Sequence, residues 1–166
     1  EKYCLNNPNG ATRFMTHPTI SYSATDKWNA TYIVNRNWKT GKAFLIGNNS
    51  ATLSNFGTDG NNYTFTNQSG KTVKGTYSIA KTYGKITVVS IVATDSQLLI
   101  YENGILIETL TVATDFIFSK IIAGDNGTTN IFNGKLYFCK IQNGESSASF
   151  VKAEYDMLRS IFSEVE

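Results

Sequence analysis

Trp38 sits in the polar stretch Asn35-Arg36-Asn37-Trp38-Lys39-Thr40-Gly41, and Tyr63 follows the turn Thr58-Asp59-Gly60-Asn61-Asn62. Aromatic rings beside Asn and Asp side chains are equipment for holding a sugar. The ring covers the CH side of a pyranose, and the amides and carboxylates take its hydroxyls. Trp38, Asn37, Tyr63, Asp59 and Asn61 are therefore the candidate ligand-binding residues, with Trp38 as the platform. Trp28, Phe56 and Tyr83 bring further rings, and Asn48, Asn49 and Asn62 further amides. Trp28 and Trp38 have a competing role, plugging an edge of the core, and Asn is abundant throughout, so its clusters carry little information alone.

Other chemistries lack members. The one histidine, His17, precedes Pro18 and fits a turn or strand better than a catalytic base. The two cysteines, Cys4 and Cys139, lie near opposite ends of the chain and form neither a CxxC pair nor a zinc ligand set. Cys139 falls in the strand-like run Lys135 to Ile141, where it reads as a small buried hydrophobe; a disulfide to Cys4 is the alternative. Ser-His-Asp arrangements and transition-metal sites have too few residues.

Elements must hold these side chains in place, and composition limits which. The chain has 166 residues, 41% hydrophobic and only 17% charged, enough apolar content for one domain with a core. Asn, Thr, Ser and Gly supply solubility, which suits turn-rich β structure and neutral partners. The net charge is +2 with no Lys/Arg run, so nucleic acid is not an expected partner. No apolar run approaches the ~20 residues of a membrane span, so no membrane insertion is expected. The chain starts at Glu1 without a Met or a signal peptide and is read as a segment of something longer.

Period-two patterning predicts strands over 13–22, 30–34, 42–46, 51–56, 63–66, 72–79, 85–93, 97–101, 105–110, 116–123 and 135–142. Pro18 confines the first to an edge or a bulge. Asn103-Gly104 between two apolar runs is a strong hairpin signal. After Asn143-Gly144 the period changes. Ser149 is a candidate cap for a helix over about 150–163, with Val151, Tyr155, Leu158 and Phe162 on one face and Met157 and Ile161 beside them. The expected fold is all-β, about a dozen strands in two antiparallel layers with a short C-terminal helix packed on them. Residues 1–166 are read as a single domain with its core over about 14–162.

Three blocks of sequence, in order, resemble the laminin-G-like domains of the concanavalin A-like superfamily. They are Val88-Val89-Ser90-Ile91-Val92 with Leu98 to Ile107; Ile122-Ala123-Gly124-Asp125 with Phe132 to Ile141; and Phe150 to Leu158. The resemblance implies a concanavalin A-like jelly-roll sandwich, a fold that hosts lectins, carbohydrate-binding modules, glycosidases, adhesion modules and phage appendage domains. A glucanase of that superfamily would need paired carboxylates of the form Glu-x-Asp-x-x-Glu on one strand, about 5–5.5 Å apart in a retaining enzyme. None of the thirteen acidic residues follows that pattern on a central strand. Calcium, common in the superfamily, would draw its oxygens from loops such as those of Asp59 and Asp125, which fit ordinary turns equally well. No other cofactor is expected.

The resulting expectation is a non-enzymatic, lectin-like carbohydrate-binding or adhesion module, displayed extracellularly on a cell surface or on a virion such as a phage tail. Its partners would be a cell-surface glycan and other subunits of the appendage. The rival reading is a structural or oligomerisation domain of a tail fibre with no ligand, and a glycoside hydrolase ranks third. The N-x-S/T sequons at Asn29, Asn48, Asn62, Asn67 and Asn126 are about as frequent as this composition produces by chance.

Overall fold

The computed structural model describes residues 5–7, 15–37, 41–48, 53–121 and 132–162. Among them run β1 (Leu5–Asn7), β2 (Met15–Tyr22), β3 (Trp28–Arg36), β4 (Lys42–Gly47), β5 (Asn55–Asp59), β6 (Asn62–Thr66) and β7 (Thr72–Lys74). They continue with β8 (Ile86–Ala93), β9 (Gln97–Glu102), β10 (Ile105–Thr111), β11 (Phe116–Ile121), β12 (Gly134–Asn143) and a helix, α1 (Ala148–Ile161). The strands form two six-stranded sheets, ordered β1-β12-β3-β8-β9-β10 and β2-β11-β4-β5-β6-β7. Every strand pair is antiparallel. This is the expected architecture, with one unforeseen short strand, β1.

Side-chain alternation builds the core. In β3, Trp28, Ala30, Tyr32 and Val34 point between the sheets, while Ile33 points out toward α1. Phe56, Tyr63, Phe65, Phe116 and Phe118 meet them from the second sheet. Pro18 lies on β2, an edge strand, where its missing N–H breaks no ladder.

Several boundaries differ from the sequence reading: β3 runs on to Arg36 and β5 to Asp59, and three further differences have a visible cause. The strand expected over 72–79 stops at Lys74: Gly75 N–H still reaches Tyr63 O of β6 at 2.9 Å, but the next donors leave the ladder, with Thr76 and Tyr77 N–H bonding Glu108 Oε2 at 2.6 and 2.7 Å. The strand expected over 51–56 starts only at Asn55, since Ser54 turns the chain with φ 49°; residues 51–52 lie outside the described residues. The helix is capped by Ser147, not Ser149; its side chain accepts from Phe150 N–H at 3.2 Å.

Helix α1 packs on the outer face of the first sheet. Val151 meets Val92 and Tyr101, and Tyr155 and Leu158 meet Ile33 and Val88. Met157 and Ile161, expected near the packed face, are exposed instead. Glu154 occupies the buried position because Thr31 Oγ1 donates to it at 2.7 Å and the Lys140 ammonium pairs with it. The β9–β10 hairpin tip rests on the same helix. Asn103 and Gly104 have φ of 51° and 77°, and a Cβ on Gly104 would lie 2.9 Å from the Lys152 side chain.

Cys139 is a half-buried free thiol against the core; Cys4 lies outside the described residues. Burial pushes that thiol from 9.0 up to about 12, and burial holds the Tyr32 and Tyr63 phenols well above 10.0. A group harder to ionise folded than unfolded contributes stability that is whole below its unfolded value and falls as pH rises past it. Stability is therefore expected to be level through neutral pH and to decline from about pH 9 upward. Urea midpoints measured from pH 7 to 12, with tyrosinate absorbance followed alongside, check this. Tyrosinate rising fully before any loss of structure would contradict it.

Candidate functional site

Asn37, Asp59 and Asn61 are brought to one end of the sandwich. Asn37 follows the last residue of β3, is exposed, and donates its N–H to Asn133 O at 3.0 Å and its Nδ2 to Asn133 Oδ1 at 3.1 Å. Asp59 ends β5 and Asn61 occupies the tight turn into β6. That turn is tied down: Gly60 N–H bonds Gly41 O at 3.0 Å, Tyr83 OH donates to Gly60 O at 2.8 Å, and Ile79 N–H bonds Asn61 O at 2.9 Å. Residues 38–40, Trp38 included, join Asn37 to Gly41 and lie outside the described residues, as does Asp125. Asp59 is engaged by Lys74, 3.3 Å away, and among the described residues no cluster of three metal-ligating side chains occurs.

Tyr63 is not a ligand platform. Its ring is buried, stacked on Phe56 at 5.6 Å, because alternation along β6 turns it inward. Trp28 and Phe56 are buried too, whereas Tyr83 is partly exposed at the same end as Asn37. Of the sequons, Asn29 and Asn67 are buried with Nδ2 spent on Gly144 O and on Ala113 O and Asp115, so neither is an accessible amide.

The sequence reading missed the polar cluster beneath this end. Arg36 and Glu102 are the last residues of β3 and β9, both on the inward parity of their strands, and both nearly fully buried. Arg36 Nη2 reaches Glu102 Oε1 at 2.7 Å and Thr82 Oγ1 at 2.6 Å, and Nη1 donates to the Tyr63 hydroxyl. Tyr63 OH donates to the same Glu102 oxygen at 2.5 Å. Burial works against the Arg36 charge, but Tyr63 and Glu102 more than offset it and hold the guanidinium above its ordinary value. The cluster links both sheets. Counting Trp28, Ala30, Tyr32, Val34 in twos arrives at Arg36, and Leu98, Ile100 at Glu102, so the signal was present in the sequence.

Three further carboxylates among the described residues serve structure. Asp26 accepts Ser23 N–H, a bond that lowers its pKa; Asp115 holds Asn67 and Ser69; Glu145 pairs with Lys27.

No protein-family model matches the sequence, and no curated protein matches it. Among solved structures, the binding domain of botulinum neurotoxin DC in complex with rat synaptotagmin II is similar, with a TM-score of 0.60 and 15% identity over 88% of this chain and 45% of that chain. The same toxin's binding domain in complex with SialylT gives 0.58 and 15% over 94% and 46%. So does a structure described as showing that cell entry of botulinum neurotoxin type C depends on interaction with two ganglioside molecules, again 15% identical over 94% and 46%. At these identities the likeness is one of fold, a two-sheet β-sandwich. The chain spans less than half the length of these neighbours.

Proposed function

We propose that the chain is a non-catalytic carbohydrate-binding module of an extracellular adhesion or appendage protein, built on a laminin-G-like jelly roll. Its glycan contacts lie at the end of the sandwich that carries Asn37, Asp59 and Asn61, with the Trp38 ring as the platform. The observation that carries this reading is the two-sheet architecture held in common with domains described with SialylT and with gangliosides. Chemistry supports it: this end offers amides, a carboxylate and fixed backbone groups, the donors and acceptors that orient a polyol.

A glycan array with the Trp38→Ala variant alongside is the test. The parent chain is expected to retain at least one glycan, and the variant to bind it about tenfold more weakly, the order expected for one lost aromatic face. A parent chain that retains no glycan at millimolar concentration removes the reading.

A second reading draws on α1, where Phe150, Met157 and Ile161 form an exposed apolar stripe. A structural or assembly domain of a surface or virion appendage would bury such a stripe against other subunits. Light scattering decides: a stable oligomer that Met157→Glu and Ile161→Glu dissolve supports it.

A further inference from the structure

Tyr77 and the tip of the β9–β10 hairpin border an open cleft of about 460 Å³, which the residues singled out in the sequence do not line. Tyr77 forms one wall and is 37% exposed. Its backbone is clamped, N–H to Glu108 Oε2 at 2.7 Å and C=O to Asn62 Nδ2 at 3.2 Å, so the ring is presented from a fixed point. Ile105 and Leu106, 65% and 48% exposed, line the cleft too. Glu102 lines the same cleft and is only 5% exposed. Its Oε1 takes both Arg36 and Tyr63, while no protein donor among the described residues reaches Oε2, which is not sealed from solvent.

We propose that this cleft is a sugar subsite selective for neutral hexopyranoses over sialylated ones. A pyranose has an apolar CH face and an edge of hydroxyls. The face fits Tyr77 and Leu106, and one hydroxyl donates to Glu102 Oε2. The Arg36 pairing sets the charge preference. It neutralises Glu102, so an ammonium group gains little there, and Arg36 itself is 3% exposed and held by Tyr63, Thr82 and Glu102, out of a ligand's reach. A glycan carboxylate would thus meet a carboxylate acceptor, and among the described residues that line the cleft none is a cation. What is left is a buried, fixed acceptor suited to an uncharged donor.

The subsite rests on the carbohydrate-binding reading but is separable from it. Parent, Tyr77→Ala, Leu106→Ser and Trp38→Ala chains are compared on immobilised neutral gluco- and galacto-oligosaccharides and their sialylated counterparts, with near-ultraviolet circular dichroism confirming that each is folded. The two cleft variants leave the buried Arg36, Glu102 and Tyr63 untouched. The parent is expected to favour neutral glycans, Tyr77→Ala to weaken them about tenfold and Leu106→Ser several-fold. Among mono-deoxy versions of the retained sugar, one position is expected to lose about tenfold, the hydroxyl that meets Glu102. Glycan binding that Trp38→Ala abolishes and Tyr77→Ala leaves unchanged overturns the subsite and keeps the module. Retention of sialylated glycans alone does the same. A parent chain that binds no sugar overturns both.

Discussion

Glu102→Leu is expected to lower the stability of the fold by about 3–5 kcal/mol, the range for removing one partner of a buried ion pair. Arg36 is 3% exposed, and its Nε is already buried without a partner, so a leucine in place of the carboxylate leaves the guanidinium without its counter-ion. Tyr63 loses the acceptor of its hydroxyl in the same step. A urea titration followed by far-ultraviolet circular dichroism reads the effect as a lowered midpoint at unchanged slope. The double variant Arg36→Met, Glu102→Leu separates charge from packing. It removes both ions at once and should recover most of the loss, because the desolvation of each is no longer unbalanced. Adding Tyr63→Phe should recover more, since the orphaned hydroxyl costs about 1–3 kcal/mol by itself. Arg36→Lys should not rescue the parent's stability: a single ammonium cannot reach Tyr63, Thr82 and Glu102 from the positions a planar fork occupies. A loss under 1 kcal/mol for Glu102→Leu would mean that the pair behaves like a surface one and that water reaches Arg36.

That cluster also marks where the sequence was legible and where it was not. Strand existence was legible because alternation has only one period to satisfy: Trp28 to Val34 and Leu98 to Ile100 read directly as inward faces. The same count reaches Arg36 and Glu102, yet charged residues at strand ends read first as solvated. Only the three-dimensional approach of β3, β6 and β9 makes them partners. Strand ends were less legible where a side chain substitutes for a neighbouring strand. Glu108 holding Thr76 and Tyr77 ends β7 early, and nothing local in residues 72–79 encodes a carboxylate 31 residues downstream. The helix face was legible at Val151, Tyr155 and Leu158 but not at Glu154, whose burial depends on Thr31 and Lys140 in two strands of the sheet beneath. At the candidate site, the chain turns that carry Asp59 and Asn61 were legible from Gly and Asn content. The inward rotation of Tyr63 follows from β6 pairing with β5 and could be counted only after the register was known. Of the cleft beside Tyr77 only the Asn103-Gly104 hairpin was legible, because the irregular segment that meets it is held there by the distant Glu108 carboxylate.

Trp28→Ala is expected to be as damaging as the loss of Glu102, for a different reason. Trp28 is fully buried at the start of β3, with ring centroids of Tyr22, Phe116 and Phe118 at 5.7, 5.5 and 5.1 Å. Its indole N–H donates to Thr114 O at 3.0 Å, which ties β3 in the first sheet to the segment leading into β11 in the second. Truncation removes the transfer free energy of the ring and leaves a cavity that its three rigid aromatic neighbours cannot collapse into. The expected cost is about 3–5 kcal/mol. Trp28→Phe keeps part of the volume but orphans the Thr114 carbonyl, and should fall roughly midway. Circular dichroism is the readout, since the substitution removes one of the two indoles on which fluorescence depends. Trp28 and Arg36 are the first and last residues of β3, so the damage falls at the far end of the sandwich from Asn37. Folded Trp28→Phe should therefore bind glycan as the parent does while unfolding at lower urea, and Trp38→Ala should show the converse. If Trp28→Phe lost glycan binding while still folded, the ligand contacts would have to lie at the Trp28 end, and the assignment to the Asn37 end would fall.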